Sequence, residues 1–212
     1  MRGLTNRLSL AVIAVLAAPS CAAVQPAEPR PPAARVMMFV GDSFTVGSGP
    51  VPTWRTYASA TARLMGRQPI IAGASGTGYC NAGRVGRTFQ RSFEEELSWR
   101  PAPDLLVVSG GHNDRRCGAE QVRQAAGRLL GAARAKWPRT EIVMIGPIWL
   151  SDPPRKAYGV RDALAAAART WNVPFLDPLG RRWPPETVLP DGVHPTLAGH
   201  ESLAAWLAAE LA

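Results

Sequence analysis

Ser43, Asn113, Asp191 and His194 carry side chains suited to acyl transfer, and each sits among turn residues. Ser43 ends Gly41-Asp42-Ser43, directly after the apolar run Val36–Val40. A hydroxyl at such a strand-to-helix turn stands above the sheet with helix N–H groups close by. The competing reading is a helix N-cap, which Ser also favours. The segment Ala72-Gly73-Ala74-Ser75-Gly76-Thr77-Gly78 is rich in glycine. Glycine lets a backbone approach a ligand and offer N–H donors, and it equally suits a plain tight turn. In Ser109-Gly110-Gly111-His112-Asn113-Asp114, the Asn113 amide is a candidate donor to a developing oxyanion, or the side chain of an Asx turn. Asp191-Gly192-Val193-His194 places a carboxylate just before an imidazole. The carboxylate can fold back onto Nδ1–H, fix the tautomer and leave Nε2 as a base, although such a pair also serves as a cap.

Composition narrows the alternatives. The chain has 212 residues, 46% apolar and 19% charged, which is globular composition and long enough for one domain with an ordinary core. No apolar run reaches the roughly 18 residues of a membrane span. Three Cys and three His, without HExxH or HxH, leave no metal site in view. Walker A, GxSxG and an uninterrupted GxGxxG are missing as well. No metal or organic cofactor is therefore expected. The net charge of +8 comes almost wholly from Arg, since Lys136 and Lys156 are the lysines. With 20 Pro and 20 Gly, this reads as compositional bias, the alternative being attraction to an anionic envelope polymer. The arginines are scattered rather than clustered with aromatics, so no nucleic-acid partner is expected.

The N-terminus reads as an export signal. Arg2 and Arg7 precede the eleven-residue apolar stretch Leu8–Ala18, too short to span a bilayer. Cleavage after Ala22 would use Ser20 and Ala22 as the small pair. The alternative is a lipoprotein box, Ala18-Pro19-Ser20-Cys21, with Cys21 lipidated and the protein held at a membrane. The first route is preferred, because the usual Leu is missing and Pro19 is out of place. Residues 1–22 are thus expected to be a signal peptide, 23–34 a Pro-rich linker, and 35–212 the folded domain.

Something must hold the four segments together. Val36–Val40, Pro69–Ala72, Asp104–Ser109, Glu141–Gly146 and Val173–Asp177 are short apolar runs that predict strands buried on both faces. Thr53–Met65, Phe89–Trp99, Ala119–Trp137, Lys156–Trp171 and Pro195–Leu211 predict helices between and after them, with Pro195 as the first helical residue of the last. This alternation predicts an α/β parallel sheet, whose ligands bind at the carboxyl ends of the strands.

GDS, a Gly-rich second block, GxND and DxxH, in that order from Met37 to His194, resemble the SGNH (GDSL) hydrolase family. The resemblance implies a three-layer α/β/α sandwich, flavodoxin-like, with a five-stranded parallel sheet of order 2-1-3-4-5. It implies Ser43 as nucleophile, His194 as base and Asp191 as its orienting carboxylate. It implies an oxyanion hole from the Ser43 and Gly76 N–H groups and the Asn113 amide, with Gly73 a rival for Gly76. His112 fills the variable position of GxND. The activity implied is a secreted or envelope serine esterase acting on short O-acyl esters of a small molecule or polysaccharide. An O-acyltransferase on envelope polysaccharide and a non-catalytic envelope-binding domain are the alternatives. In the implied sheet order the loops after the second and third strands converge. Export places Cys80 and Cys117, at the ends of those loops, in an oxidising compartment, so a Cys80–Cys117 disulfide is expected.

Other residues draw structural readings. His112 is expected to brace its loop, with substrate contact as the alternative, and Asp114 to do the same for Asn113. His200 is expected at the surface of the last helix, and Glu94-Glu95-Glu96 on a solvated face. Trp54 and Trp149 are balanced between a pocket wall and the core.

Overall fold

The computed structural model describes residues 34–212. The expected signal peptide, Cys21 and nearly all of the linker lie outside the described residues.

Strand β1 (Val36–Gly41) lies inside a five-stranded parallel sheet, paired on both edges. Successive side chains of a strand point to opposite faces, and here both faces are covered. Met38 and Val40 enter one core with Leu106, Val108, Ile142 and Met144. Met37 and Phe39 enter a second with Leu105, Val107, Val143 and Ile145. That is why these runs are continuously apolar rather than alternating. The remaining strands are β2 (Gln68–Gly73), β3 (Leu105–Ser109), β4 (Glu141–Ile145) and β5 (Phe175–Leu176), in the order β2-β1-β3-β4-β5. Gly41 pairs with both Gly73 and Ser109, so β1, β2 and β3 end at one level.

On the first face lie α3 (Phe89–Ser92), α4 (Ala119–Lys136) and α5 (Arg155–Thr170). On the second lie α1 (Ser43–Val46), α2 (Tyr57–Leu64) and α6 (Leu197–Glu210). The expected three-layer α/β/α sandwich and strand order are therefore present.

Several boundaries differ from the sequence reading, each for a local reason. The helix expected over Thr53–Met65 is broken at Thr56, whose ψ of 161° is extended, and α2 starts at Tyr57. The helix expected over Phe89–Trp99 passes from α3 into a widened π-type turn, Phe93–Leu97. Strand β5 is only two residues long. Pro174 precedes it without an N–H, although its carbonyl still accepts from Met144 at 2.9 Å. Pro195 is not the first helical residue: Thr196 is the N-cap, its side chain accepting the Gly199 N–H at 3.0 Å.

Candidate active site

The loops leaving β1, β2 and β3 border one cleft of about 670 Å³, whose walls include Ser43, Gly76, His112, Asn113 and His194. Three of these segments leave strands that end at one level, and His194 joins them from the turn before α6, which is closed by the Val188–Pro195 bridge.

Ser43 is the first residue of α1. The capping role considered for it falls to Asp42, whose Oδ1 accepts the Phe44 N–H at 3.0 Å. The Ser43 hydroxyl is left to meet His194 Nε2 at 3.0 Å. His194 Nδ1 lies 2.6 Å from Asp191 Oδ2. The other Asp191 oxygen accepts the N–H groups of Val193, at 2.9 Å, and His194, at 3.0 Å. An ionised carboxylate only accepts, so Nδ1 carries the proton and Nε2 faces Ser43 as an acceptor. The His194 hydrogen bond, followed by the two backbone N–H groups, lowers the Asp191 pKa to about 2. The Asp191 side chain is nonetheless 47% exposed.

Asn113 sits in a one-turn 3₁₀ segment after β3. Its Nδ2 donates to the Thr77 carbonyl at 2.9 Å and reaches Asp42 Oδ2 at 3.3 Å. Asn81 Nδ2 donates to the Asn113 carbonyl at 3.0 Å. The amide is therefore fixed from both neighbouring loops. Gly76 lines the cleft at φ +76°, a conformation that side chains resist. Gly73 does not line it. Its N–H donates to Glu96 Oε1 at 3.3 Å, and a Cβ there would fall 1.8 Å from the Gly41 carbonyl oxygen. Gly73 is thus a close-packing glycine at the end of β2.

Asp114 braces its loop as expected, and does more. It is fully buried, and its carboxylate accepts the N–H groups of Tyr79, Cys80 and Asn81 at 3.0 to 3.1 Å. Cys80 and Cys117 are joined as a disulfide beside it, with Cα atoms 6.7 Å apart. The loops after β2 and β3 are therefore clamped twice. Burial outweighs the hydrogen bonds for Asp114 and raises its pKa. Burial also raises Asp42, to about 7, with the nearby Asp114 carboxylate adding to it.

His112 is 5% exposed and stacks on Trp149, with ring centroids 3.9 Å apart. Its Nδ1 lies 3.3 Å from the Ile148 carbonyl, to which it can donate. Burial lowers its pKa to about 4, so the imidazole is neutral at physiological pH. It braces the loop after β4 and also borders the cleft. Trp149 supports the wall from behind, while Trp54 is 70% exposed and away from the lining.

Two expectations need correction. His200 is not a surface residue: it is fully buried, and its Nδ1 accepts the Tyr57 N–H at 3.1 Å. That N–H is one of the unpaired donors at the start of α2, which has no side-chain cap of its own. Glu94 and Glu95 are exposed as expected, but Glu96 is only partly so, since it pairs with Arg87 at 3.0 Å besides accepting from Gly73. The sequence reading missed a polar layer beneath α1, where the Tyr57 hydroxyl meets Ser109 Oγ at 2.6 Å and Thr45 Oγ1 at 3.1 Å. A Ser ending the apolar run of β3 was the signal for it. Asp42 and Thr77, which hold Asn113, were also missed.

Comparison with known proteins agrees with this arrangement. Residues 39–202 match the GDSL-like lipase/acylhydrolase family. A GDSL lipase from Mycobacterium tuberculosis is 32% identical over 184 residues, covering 78% of this chain and 76% of that protein. A family two carbohydrate esterase from Clostridium thermocellum has a similar structure, with a TM-score of 0.72 at 20% identity, over 84% of this chain and 63% of that one. A lipase/acylhydrolase from Enterococcus faecalis gives a TM-score of 0.68 at 17% identity, over 84% and 95%. The chain belongs to the GDSL-like lipase/acylhydrolase family and is a serine ester hydrolase.

Proposed function

We propose that this chain is an exported serine esterase that removes short O-acyl groups, with Ser43 as nucleophile. The observation that carries the reading is the unbroken line from Ser43 Oγ to His194 Nε2, at 3.0 Å, and from His194 Nδ1 to Asp191, at 2.6 Å. As Ser43 Oγ bonds to the acyl carbon, its proton passes to Nε2. Asp191 stays ionised and stabilises the imidazolium. The tetrahedral oxyanion is met by the N–H groups of Ser43 and Gly76, neither of which has a hydrogen-bond partner among the described residues. Asn113 supplies the third donor. Its 3.3 Å contact with Asp42 is long, so that hydrogen is the one free to turn to an oxyanion. Preorganised donors of this kind contribute on the order of 10²–10³ each. Collapse expels the alcohol, which takes the Nε2 proton. Water then gives a proton to Nε2 and attacks the acyl carbon, and as the Ser43 Oγ–acyl bond breaks Oγ takes that proton from Nε2, releasing the acid and restoring Ser43 and neutral His194.

The small residues Ser43, Ser48, Gly49, Ser75 and Gly83 in the lining support short acyl chains. Carbohydrate esterases among the similar folds agree with a saccharide ester as substrate. Export rests on the N-terminal signal at residues 1–22, with 23–34 as linker, and the Cys80–Cys117 bond suits an oxidising compartment. The test is a panel of 4-nitrophenyl esters of rising chain length on wild type and Ser43→Ala. Turnover should be greatest at acetyl and absent in the variant. Equal turnover by a folded Ser43→Ala protein overturns the assignment.

A further inference from the structure

We infer that the cleft continues into a cationic groove that selects esters of an acidic saccharide, a substrate class that builds on the esterase reading above. Three adjoining depressions share Arg115. The first holds Ser43 and His194, with Arg84 on its rim. The second is lined by Asn81, Asn113, Arg115, Arg116 and Lys156. The third lies between the starts of α4 and α5 and again holds Arg115, Arg116 and Lys156. No Asp or Glu lines any of them. Compositional bias alone does not give this pattern. At the opposite end of the sheet, Arg35, Arg67 and Arg139 share a depression with Asp104 and Glu141. Between α2 and α6, Arg63 faces Glu201 in the same way.

The groove's cations are also unneutralised. Among the described residues, Arg84, Arg115, Arg116 and Lys156 form no ion pair, a state they share with Arg35, Arg67 and Arg139, so what sets the groove apart is the absence of acids from its lining. Glu120, in the first turn of α4, is turned onto Arg123 at 2.6 Å. Arg115 is held in place, its Nε donating to the His112 carbonyl at 2.9 Å and its guanidinium 5.0 Å from the Trp149 ring centre. Helices α4 and α5 open onto the third depression without a side-chain cap, so their N–H groups add to the positive potential. Lys156 stands in the first turn of α5, where a cation opposes the helix dipole. Such a field attracts anions and steers them to the site. The choice of a saccharide over a lipid rests on the hydrogen-bonding side chains Asn81, Asn113 and Ser75 that border it, and on a groove longer than one small ester.

The test compares acetate release from acetylated polygalacturonate and acetylated xylan. Wild type should prefer the acidic polymer by ~10-fold or more in kcat/KM at low salt, with the preference fading at high salt. The triple substitution Arg84→Gln, Arg116→Gln, Lys156→Gln removes side chains without ion-pair or hydrogen-bond partners, and should bring the ratio close to unity. A ratio near unity in wild type, a ratio that survives the triple substitution, or faster deacylation of phosphatidylglycerol vesicles than of either polymer overturns the inference. Binding of unacetylated polygalacturonate, followed by calorimetry on wild type and the triple variant, separates this from the esterase reading. Salt-sensitive binding lost in the triple variant, without ester turnover, upholds the groove and sinks the esterase. Turnover of both polymers without such binding does the reverse.

Discussion

Asp42 Oδ2 lies 3.3 Å from Asn113 Nδ2, tying the loop after β1 to the loop after β3. The carboxylate is 2% exposed, and burial, with Asp114 nearby, raises its pKa to about 7. A group bound more tightly to its proton when folded stabilises the fold at low pH. That stability is present below the ordinary carboxylate value and is lost as pH rises through about 7. Asp42→Asn keeps an N-cap oxygen for Phe44 and cannot ionise. Urea denaturation at pH 5 and pH 8 should show a smaller loss toward pH 8 in Asp42→Asn than in wild type. An equal loss in both would remove Asp42 as its source.

Ser43→Ala should fold like wild type and lose at least ~10³ in kcat on 4-nitrophenyl acetate, because the members of such a triad act as a unit. A fluorophosphonate should label wild type at Ser43, identified by peptide mass, and leave Ser43→Ala unlabelled.

Asp191→Asn should cost less, about 10²-fold in kcat. The Asp191 side chain is 47% exposed, and its attraction for an imidazolium is weakened by solvent. The tautomer argument remains, since an amide can offer His194 Nδ1 a donor instead of an acceptor. Because the Asp191 pKa is held at about 2, its ionisation does not define the acid limb of the wild-type profile. Steady-state kinetics from pH 4 to pH 9 check both points.

His200 gives the opposite pH signature from Asp42. Its pKa is lowered by burial to about 4, with His194 a smaller cause. The stability it contributes is present above its ordinary value of 6.5 and is lost as pH falls through about 4. Protonation sets an N–H against the Tyr57 N–H it now accepts. His112 adds to the same window. His200→Asn offers an oxygen at the Nδ1 position and does not titrate. Its thermal midpoint should fall less than that of wild type between pH 7 and pH 4.5. His200→Ala should lose about 1–3 kcal/mol at pH 7, for the unpaired Tyr57 donor.

These residues mark the boundary of what sequence alone conveys. The strands were legible because both faces of β1, β3 and β4 are buried, which leaves continuous runs such as Met37–Val40. The turn chemistry of Gly41-Asp42-Ser43 and Asp191–His194 was legible because few residue types suit it. His200 was not, since its partner is a backbone N–H 143 residues away. Nor was the role of Asp42, read as a turn residue, because its partner Asn113 is 71 residues distant. The acid-free groove was hidden too. Arg84, Arg115, Arg116 and Lys156 form no run, and only the folded chain shows that their carboxylate neighbours lie elsewhere.

Removal of the Cys80–Cys117 bond separates stability from catalysis. The bond closes a loop spanning 37 residues, and a loop of this size is worth about 3–4 kcal/mol through the unfolded chain. That entropic contribution does not depend on which atoms then hold the folded loops. In the folded state the same two loops are also held by Asp114, which accepts three backbone N–H groups at 3.0 to 3.1 Å. Hydrogen bonds to a charged acceptor are worth about 1.5–3 kcal/mol each, so Asp114 keeps Gly76 and Asn113 in place without the disulfide. Cys80→Ser/Cys117→Ser should therefore unfold at lower denaturant concentration, by about 3 kcal/mol, while kcat on 4-nitrophenyl acetate falls by less than ~10-fold. Asp114→Ala leaves the disulfide intact but frees three backbone donors, one of them buried, next to Asn113. It should lose more in kcat than the double serine variant. The reverse order of the two variants in kcat would show that the disulfide, and not Asp114, sets the spacing of the proposed oxyanion donors.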